Sequence, residues 1–269
     1  MKRKIVIANW KMNLGFKESK DLPEKILKKI NNRSNFPLRN LKIKKARAIK
    51  KLDIVFCPSF TNLCEVSKIL KSKSGIFLGA QDCFWEDHGD FTGEISPVWL
   101  KSLGCRYVIL GHSERRKNLK ETNDMVHRKV KAALKAGLNP IICVGETLEE
   151  RQRGIKDYVI LDQLSSALTG INLDPKQKII IAYEPVWVIG SGRAITPNEI
   201  EYMNKIILQR MIDFYPLERV KKNISIIYGG SVSADNVKSF IDLKTTDGVL
   251  VGGASLRADE FVKICQVIV

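Results

Sequence analysis

Residues 178–192 read KIIIAYEPVWVIGSG, a short apolar run followed by Glu184 and Pro185. The run does not alternate polar and apolar residues, which predicts a strand covered on both faces, as in a parallel sheet. Eight runs share this pattern, and each ends in or is directly followed by Gly, Pro, Asn or a charged residue: Lys4–Ala8, Asp53–Cys57, Ile76–Gly79, Arg106–Leu110, Pro140–Val144, Lys178–Tyr183, Ile224–Tyr228 and Gly248–Val251. We therefore predict eight parallel strands.

Segments with helical periodicity separate these runs. Thr122 is a candidate N-cap, a second helix is expected to open at Ser233, and the last spans Ala258–Ile268. A doubly wound open sheet is the alternative fold, but such a sheet usually has a Gly-rich turn after its first strand, where this chain has Asn9-Trp10-Lys11. With no Ser/Pro-rich linker, residues 1–269 are predicted to form a single α/β domain, a (β/α)8 barrel of the TIM type.

The net charge of +16 is concentrated near the N-terminus. Residues 1–51 hold 17 Lys and Arg against 3 Asp and Glu, whereas the rest of the chain holds 28 against 26. Much of the excess lies in an extended basic connection at about 31–51. It is either a patch for polyanions or a solvated Lys-rich face. We favour the solvated face, with nucleic acid not an expected partner, because no aromatic residues that could stack on bases interleave the lysines of Leu41–Lys51.

The composition also excludes several protein classes. Six cysteines without a C-x-x-C pair are typical of buried thiols in a reducing compartment. No run approaches the ~18 apolar residues of a membrane span, and the apolar stretch after the basic N-terminus is too short for a signal peptide. No two of the three histidines have zinc-ligand spacing, and His88 is interpreted as part of a polar loop. We expect a soluble cytoplasmic protein with no metal ion.

Polar residues follow the predicted strands at the end of a barrel where function usually lies. Asn9 and Lys11 follow the first strand, His112 the fourth and Glu184 the sixth. A carboxylate directly after a buried strand is partly desolvated, which suits a general base. Taken alone, Lys11 is as well explained by a solvated surface lysine as by a catalytic one, and His112 by a histidine of the core. Together, these residues predict a catalytic site.

Two further segments complete the predicted site. The turns Gly229-Gly230-Ser231 and Gly252-Gly253 follow the last two strands, and are either tight connections or backbone N–H groups that hold a phosphate. Their position on neighbouring strands favours phosphate binding. An apolar segment flanked by Pro and Gly predicts a lid that excludes water. The lid residues are Pro185, Val186, Trp187, Val188, Ile189, Gly190, Ser191 and Gly192.

Five segments resemble the signature segments of the triosephosphate isomerases: NWKMN at 9–13, GHSERR at 111–116, AYEPVWVIGSG at 182–192, YGGSV at 228–232 and VGGASL at 251–256. The resemblance extends from residue 4 to the last helix. It implies interconversion of dihydroxyacetone phosphate and glyceraldehyde 3-phosphate through an enediol(ate), a step of glycolysis and gluconeogenesis. It implies no cofactor.

The resemblance also implies catalytic roles. Glu184 resembles the base that moves a proton between two carbons. His112 resembles the electrophile, which in this family is a neutral imidazole at a helix N-terminus. Lys11 and Asn9 would stabilise the developing oxyanion, and Glu114 resembles the carboxylate that pairs with Lys11.

The phosphate site and the subunit contact are likewise implied by the resemblance. Gly190, Ser231, Gly252 and Gly253 would hold the phosphate through backbone N–H groups. The family is typically a homodimer, and Thr92 would reach the neighbouring subunit.

The sequence departs from the family pattern at Asp82, in the lid, and in the connection at Asn31–Lys51, which is longer and more basic than the usual link between the first helix and the second strand. Asp82 stands where Asn is usual, and we expect it to alter dimer affinity. Val188 and Ser191 replace Ala and Thr in the lid, which is expected to alter only the rate of lid opening. The alternative function is an idle barrel whose basic region binds a polyanion. The intact catalytic set argues against it.

Overall fold

The structure is a computed structural model that describes residues 3–31, 52–71, 73–189 and 195–269. The predicted basic connection beyond Asn31 lies outside the described residues. The predicted lid residues Gly190, Ser191 and Gly192 also lie outside them.

Eight parallel strands close into a barrel in chain order, and the last strand pairs with the first. The predicted barrel is confirmed, and each strand matches its predicted run to within one residue at either end. The strands are β1 (Lys4–Asn9), β2 (Leu52–Cys57), β3 (Ile76–Ala80), β4 (Cys105–Leu110), β5 (Asn139–Val144), β6 (Ile179–Tyr183), β7 (Ile224–Tyr228) and β8 (Gly248–Val251).

Helices occupy the connections between the strands. They are α1 (Phe16–Asn31), α2 (Leu63–Leu70), α3 (Pro97–Ser102), α4 (Ser113–Leu119), α5 (Asn123–Lys135), α6 (Leu148–Gln152), α7 (Lys156–Leu168), α8 (Pro197–Phe214), α9 (Leu217–Asn223), α10 (Val237–Ile241) and α11 (Ala258–Ile268). Short 3-10 helices span Phe60–Asn62, Val186–Val188 and Gly253–Leu256. Within the described ranges, no helix has both the length and the apolar character needed to cross a membrane.

Two helix starts test the predicted capping. Thr122 caps α5 as predicted, because its hydroxyl accepts the Met125 N–H at 3.2 Å. The helix expected to open at Ser233 begins four residues later, at Val237. There the Asn236 side-chain oxygen accepts the Ser233 N–H at 2.8 Å, which closes a turn before the helix.

The core has two layers, one inside the barrel and one between barrel and helices. In β1, Ile5 and Ile7 pack inside the barrel, whereas Val6 and Ala8 pack under the helices. Because both faces are buried, the strands read as continuous apolar runs. The filled interior makes the barrel a rigid support, so polar side chains can be held at the C-terminal ends of its strands.

Candidate active site

A cavity of about 630 Å³ opens at the C-terminal ends of the strands. Its lining contains seven of the predicted catalytic and substrate-binding residues: Asn9, Lys11, His112, Glu184, Ser231, Gly252 and Gly253. Residues from β1, β4, β6, β7 and β8 connections therefore converge as predicted.

The Glu184 carboxylate is almost fully buried, with 1% of the residue exposed. Cys143 donates its S–H to Glu184 Oε1 at 3.2 Å, and the Ser113 N–H lies 3.5 Å from Oε2. Burial, with the nearby charge of Glu184, raises the pKa of the Cys143 thiol well above its usual value. The thiol therefore stays protonated and serves as a donor that orients the carboxylate.

Two glycines leave the space that Glu184 occupies. A Cβ on Gly229 would lie 2.7 Å from Glu184 Cγ, and a Cβ on Gly145 would lie 1.7 Å from the Glu184 carbonyl oxygen. A side chain at either position would displace Glu184, so these close approaches require glycine.

His112 precedes α4, and its Nδ1 accepts the Glu114 N–H at 3.2 Å. Because Nδ1 is the acceptor, a neutral ring carries its proton on Nε2. Nε2 lies 3.6 Å from Glu184 Oε1. The cavity thus has a hydrogen-bond donor beside a carboxylate, an arrangement that can polarise a carbonyl while a neighbouring carbon loses a proton.

Lys11 adopts a left-handed backbone conformation with φ 54°, which costs about 1–3 kcal/mol for a residue with a Cβ. Asn9 Oδ1 accepts the Lys11 N–H at 3.1 Å, and Gln81 donates to the Lys11 carbonyl at 2.9 Å. Lys11 Nζ pairs with Glu114 Oε1 at 2.5 Å, the pair that the resemblance implies. These contacts hold the ammonium at the cavity despite the backbone strain.

The described part of the predicted lid forms a 3-10 helix rather than an extension of β6. Trp187 Nε1 donates to Glu146 Oε1 at 3.0 Å, and the Tyr183 hydroxyl donates to Glu146 Oε2 at 3.2 Å. The Arg151 guanidinium lies 4.7 Å from the centroid of the Trp187 ring and 3.4 Å from Glu146 Oε1. The fully buried Glu146 therefore anchors the start of this segment.

The turn after β8 leads directly into the 3-10 helix Gly253–Leu256. The first N–H groups of a helix have no partner within it, so this end can accept an anion. Ser231, at the end of β7, lines the same cavity.

Asp82 is buried beside two cations. Its carboxylate lies 2.8 Å from Lys129 Nζ and 2.9 Å from the Arg115 guanidinium. Lys129 also pairs with Glu121. Burial is the largest influence, and together with the Glu121 charge it outweighs Lys129 and Arg115 and raises the pKa of Asp82 to about 6. The effect of Asp82 on dimer affinity stays a prediction.

Comparison with known proteins identifies the family. The sequence profile of the triosephosphate isomerases matches residues 4–268. The chain belongs to the triosephosphate isomerase family. The triosephosphate isomerase of Caldanaerobacter subterraneus subsp. tengcongensis is 42% identical over 264 residues, which are 98% of this chain and 99% of that protein. That of Dictyoglomus thermophilum is 43% identical over 266 residues, 99% of this chain and 100% of the relative.

A solved structure is similar to nearly the whole barrel. The crystal structure of triosephosphate isomerase from Bartonella henselae matches with a TM-score of 0.81 and 35% identity, covering 98% of each chain. The resemblance to the triosephosphate isomerases found in the sequence is therefore confirmed.

Sequence reasoning missed three residues of the site. Glu146 comes two residues after β5, as His112 comes two residues after β4, so the rule that found His112 would also have found it. Cys143 reads only as one more apolar residue of a strand. Arg257 lines the cavity but lies beyond the predicted diglycine turn. Over the ranges given above, no group of three or more His, Cys, Asp or Glu side chains is placed to hold a metal ion.

Proposed function

We propose that the chain, as one barrel domain over residues 1–269, interconverts dihydroxyacetone phosphate and D-glyceraldehyde 3-phosphate in glycolysis and gluconeogenesis. The observation that carries the assignment of roles is the buried Glu184 carboxylate, 3.6 Å from His112 Nε2 in a cavity with two glycine turns. Reaction class and substrate follow from membership of the family.

Glu184 removes a proton from the carbon next to the substrate carbonyl. His112 Nε2–H donates to the carbonyl oxygen as electrons move onto it, which gives an enediol(ate). After a proton moves between the two oxygens, the protonated Glu184 returns its proton to the other carbon. No cofactor is required, because the substrate carbonyl itself accepts the electron pair.

Lys11 and Asn9 support the same charge development. The Lys11 ammonium offers positive charge to the oxyanion and the phosphate, and Asn9 Nδ2 offers a hydrogen bond beside it. Glu114 orients the ammonium through the 2.5 Å pair. We assign Glu114 an orienting role because its contact is with Lys11.

The phosphate is assigned to the end of the cavity lined by Ser231, Gly252 and Gly253. A Cβ on Gly253 would meet nothing within 4 Å, so space for a ligand remains in front of it. The assignment of Gly190 to the same group rests on its sequence motif.

Closure of the lid protects the intermediate. An enediolate with a neighbouring phosphate can eliminate that phosphate, and water exclusion also strengthens electrostatic interactions in the cavity. The described lid residues are Pro185–Ile189. Among them, Trp187 contacts Glu146 and Arg151, and these contacts hold the start of the lid in place while the rest closes.

We further propose a homodimer in which the loop carrying Thr92 inserts into a second copy. Exposed apolar side chains support this, since Phe91 is 43% exposed and Met12 96% exposed. A groove of about 520 Å³ contains both Met12 and Lys11 in its lining. Because Lys11 also lines the catalytic cavity, a loop seated in this groove would support the catalytic lysine.

A cytoplasmic location is proposed on the cysteines, which are all free thiols. We propose no nucleic-acid partner. Salt-sensitive nucleic-acid binding that is lost on neutralising Lys42, Lys44, Lys45 and Arg47 would assign one.

A coupled assay of glyceraldehyde 3-phosphate conversion tests the proposed function. Wild-type protein is expected to turn over substrate, and Glu184→Gln, with nearly the same shape, is expected to lose at least ~10²–10⁴-fold in kcat. Equal rates in the two proteins would indicate another base. Inactivity of a verified wild-type dimer would favour the idle barrel.

A further inference from the structure

We infer that Arg257 is a further substrate-binding residue, which attracts the phosphate dianion into the catalytic cavity. The inference rests on the phosphate site proposed above. Arg257 directly follows the 3-10 helix Gly253–Leu256, and it lines the same cavity as Gly252 and Gly253. Arg257 therefore lies beside the glycines to which the phosphate is assigned.

The guanidinium of Arg257 is not committed elsewhere in the described part of the chain, where no carboxylate forms an ion pair with it. The two acidic residues that follow it have other partners. Asp259 pairs with Lys29 at 2.7 Å, and Glu260 accepts the Ala234 N–H at 2.8 Å. An arginine with acidic neighbours that bind other groups is available for a ligand.

Arg257 also stands at a position where an arginine does not stabilise the helix that follows it. It occupies the N-cap of α11 and makes no side-chain cap hydrogen bond. Ser, Thr, Asp and Asn stabilise this position, and a cation beside a helix N-terminus is disfavoured by the helix dipole. Binding of the substrate phosphate in the cavity would account for an arginine at a position where it does not stabilise its own helix.

The charges of the described lining leave a need for such a cation. Lys11 is paired with Glu114, and Glu184 adds the negative charge of a carboxylate with which no Lys or Arg of the described lining forms an ion pair. A dianionic substrate entering this cavity meets that negative charge. Arg257 compensates it from the phosphate end, which favours both capture and binding of the dianion.

The test compares Arg257→Gln with Lys263→Gln, a matched control. Lys263 is an exposed cation on the same helix but not part of the cavity lining, so both variants lose one charge. For glyceraldehyde 3-phosphate we expect kcat/KM of Arg257→Gln to fall by about tenfold, mainly through KM. The loss is expected to shrink as salt is raised, and Arg257→Lys is expected to recover most of it.

Two measurements separate phosphate binding from a structural effect. Glyceraldehyde has no phosphate, so its turnover should fall far less than that of the phosphorylated substrate. The Kd of inorganic phosphate, measured by calorimetry in the Glu184→Gln background, should rise about tenfold when Arg257→Gln is added. This second measurement needs no turnover, so it tests Arg257 even if Glu184 is not the base.

Equal kcat/KM in Arg257→Gln and Lys263→Gln would overturn the inference. Equal losses with glyceraldehyde and with its phosphate ester would also overturn it, because they would indicate a structural role.

Discussion

Asp82→Asn is expected to stabilise the protein increasingly as pH rises from about 4 to 7. In the folded protein, burial and Glu121 raise the pKa of Asp82 from 3.8 to about 6, despite Lys129 and Arg115. The folded state therefore binds more protons than the unfolded state between these values. The contribution of protonated Asp82 to the free energy of unfolding is fully present below pH 3.8, and it is lost as pH rises through 6.

The size of this effect follows from the two pKa values. Each pKa unit corresponds to about 1.36 kcal/mol, so the difference between 3.8 and about 6 is worth about 3 kcal/mol in total. About 2 kcal/mol of this falls between pH 4.5 and 7.5. The amide that replaces the carboxyl group in the variant cannot ionise, so the difference in unfolding free energy between variant and wild type should grow by that amount.

Urea unfolding at fixed protein concentration and several pH values measures this difference. Asp90→Asn, at an exposed residue later in the same loop, controls for the loss of one negative charge. A difference that does not change with pH would refute the reasoning. A difference that shrinks with rising pH would show that Lys129 and Arg115 outweigh burial.

Three further variants test other parts of the site. Gly229→Ala places a Cβ 2.7 Å from Glu184 Cγ, so the carboxylate must move. We therefore expect kcat to fall about 10²-fold in steady-state assays. Unchanged kcat would contradict this close approach. Trp187→Phe removes the donor to Glu146, so chemical unfolding should show a loss of roughly 1.5–3 kcal/mol, and wild-type stability would contradict the anchoring contact. Thr92→Arg places a charge at the proposed subunit contact, so sedimentation should show monomers with reduced activity; a wild-type monomer would instead rule out the proposed dimer.

Most of the fold was predictable because most residues on both faces of the strands are buried. Burial on two faces leaves uninterrupted apolar runs, such as the one before Glu184, and these mark strands without an alignment. The start of α10 was predicted wrongly, because Asn236 closes a turn that competes with helix capping at Ser233. Local side-chain hydrogen bonds of this kind leave little signal in the sequence.

The site was predictable where residues follow a strand within two positions, as Lys11, His112 and Glu184 do. Contacts between side chains of different strands and helices were not. The donation from Cys143 to Glu184 and the Asp82–Lys129 pair join residues 41 and 47 positions apart. Such contacts depend on packing that composition and periodicity do not specify.

Proton exchange with solvent tests most directly the central claim that Glu184 moves a carbon-bound proton. Dihydroxyacetone phosphate is incubated with enzyme in D₂O, and its carbon-bound hydrogens are followed by NMR over many turnovers. Wild-type protein is expected to introduce deuterium next to the carbonyl, and Glu184→Gln is expected to do so at least ~10²-fold more slowly. Equal exchange in both proteins, or interconversion of the two triose phosphates without any deuterium uptake, would contradict the account.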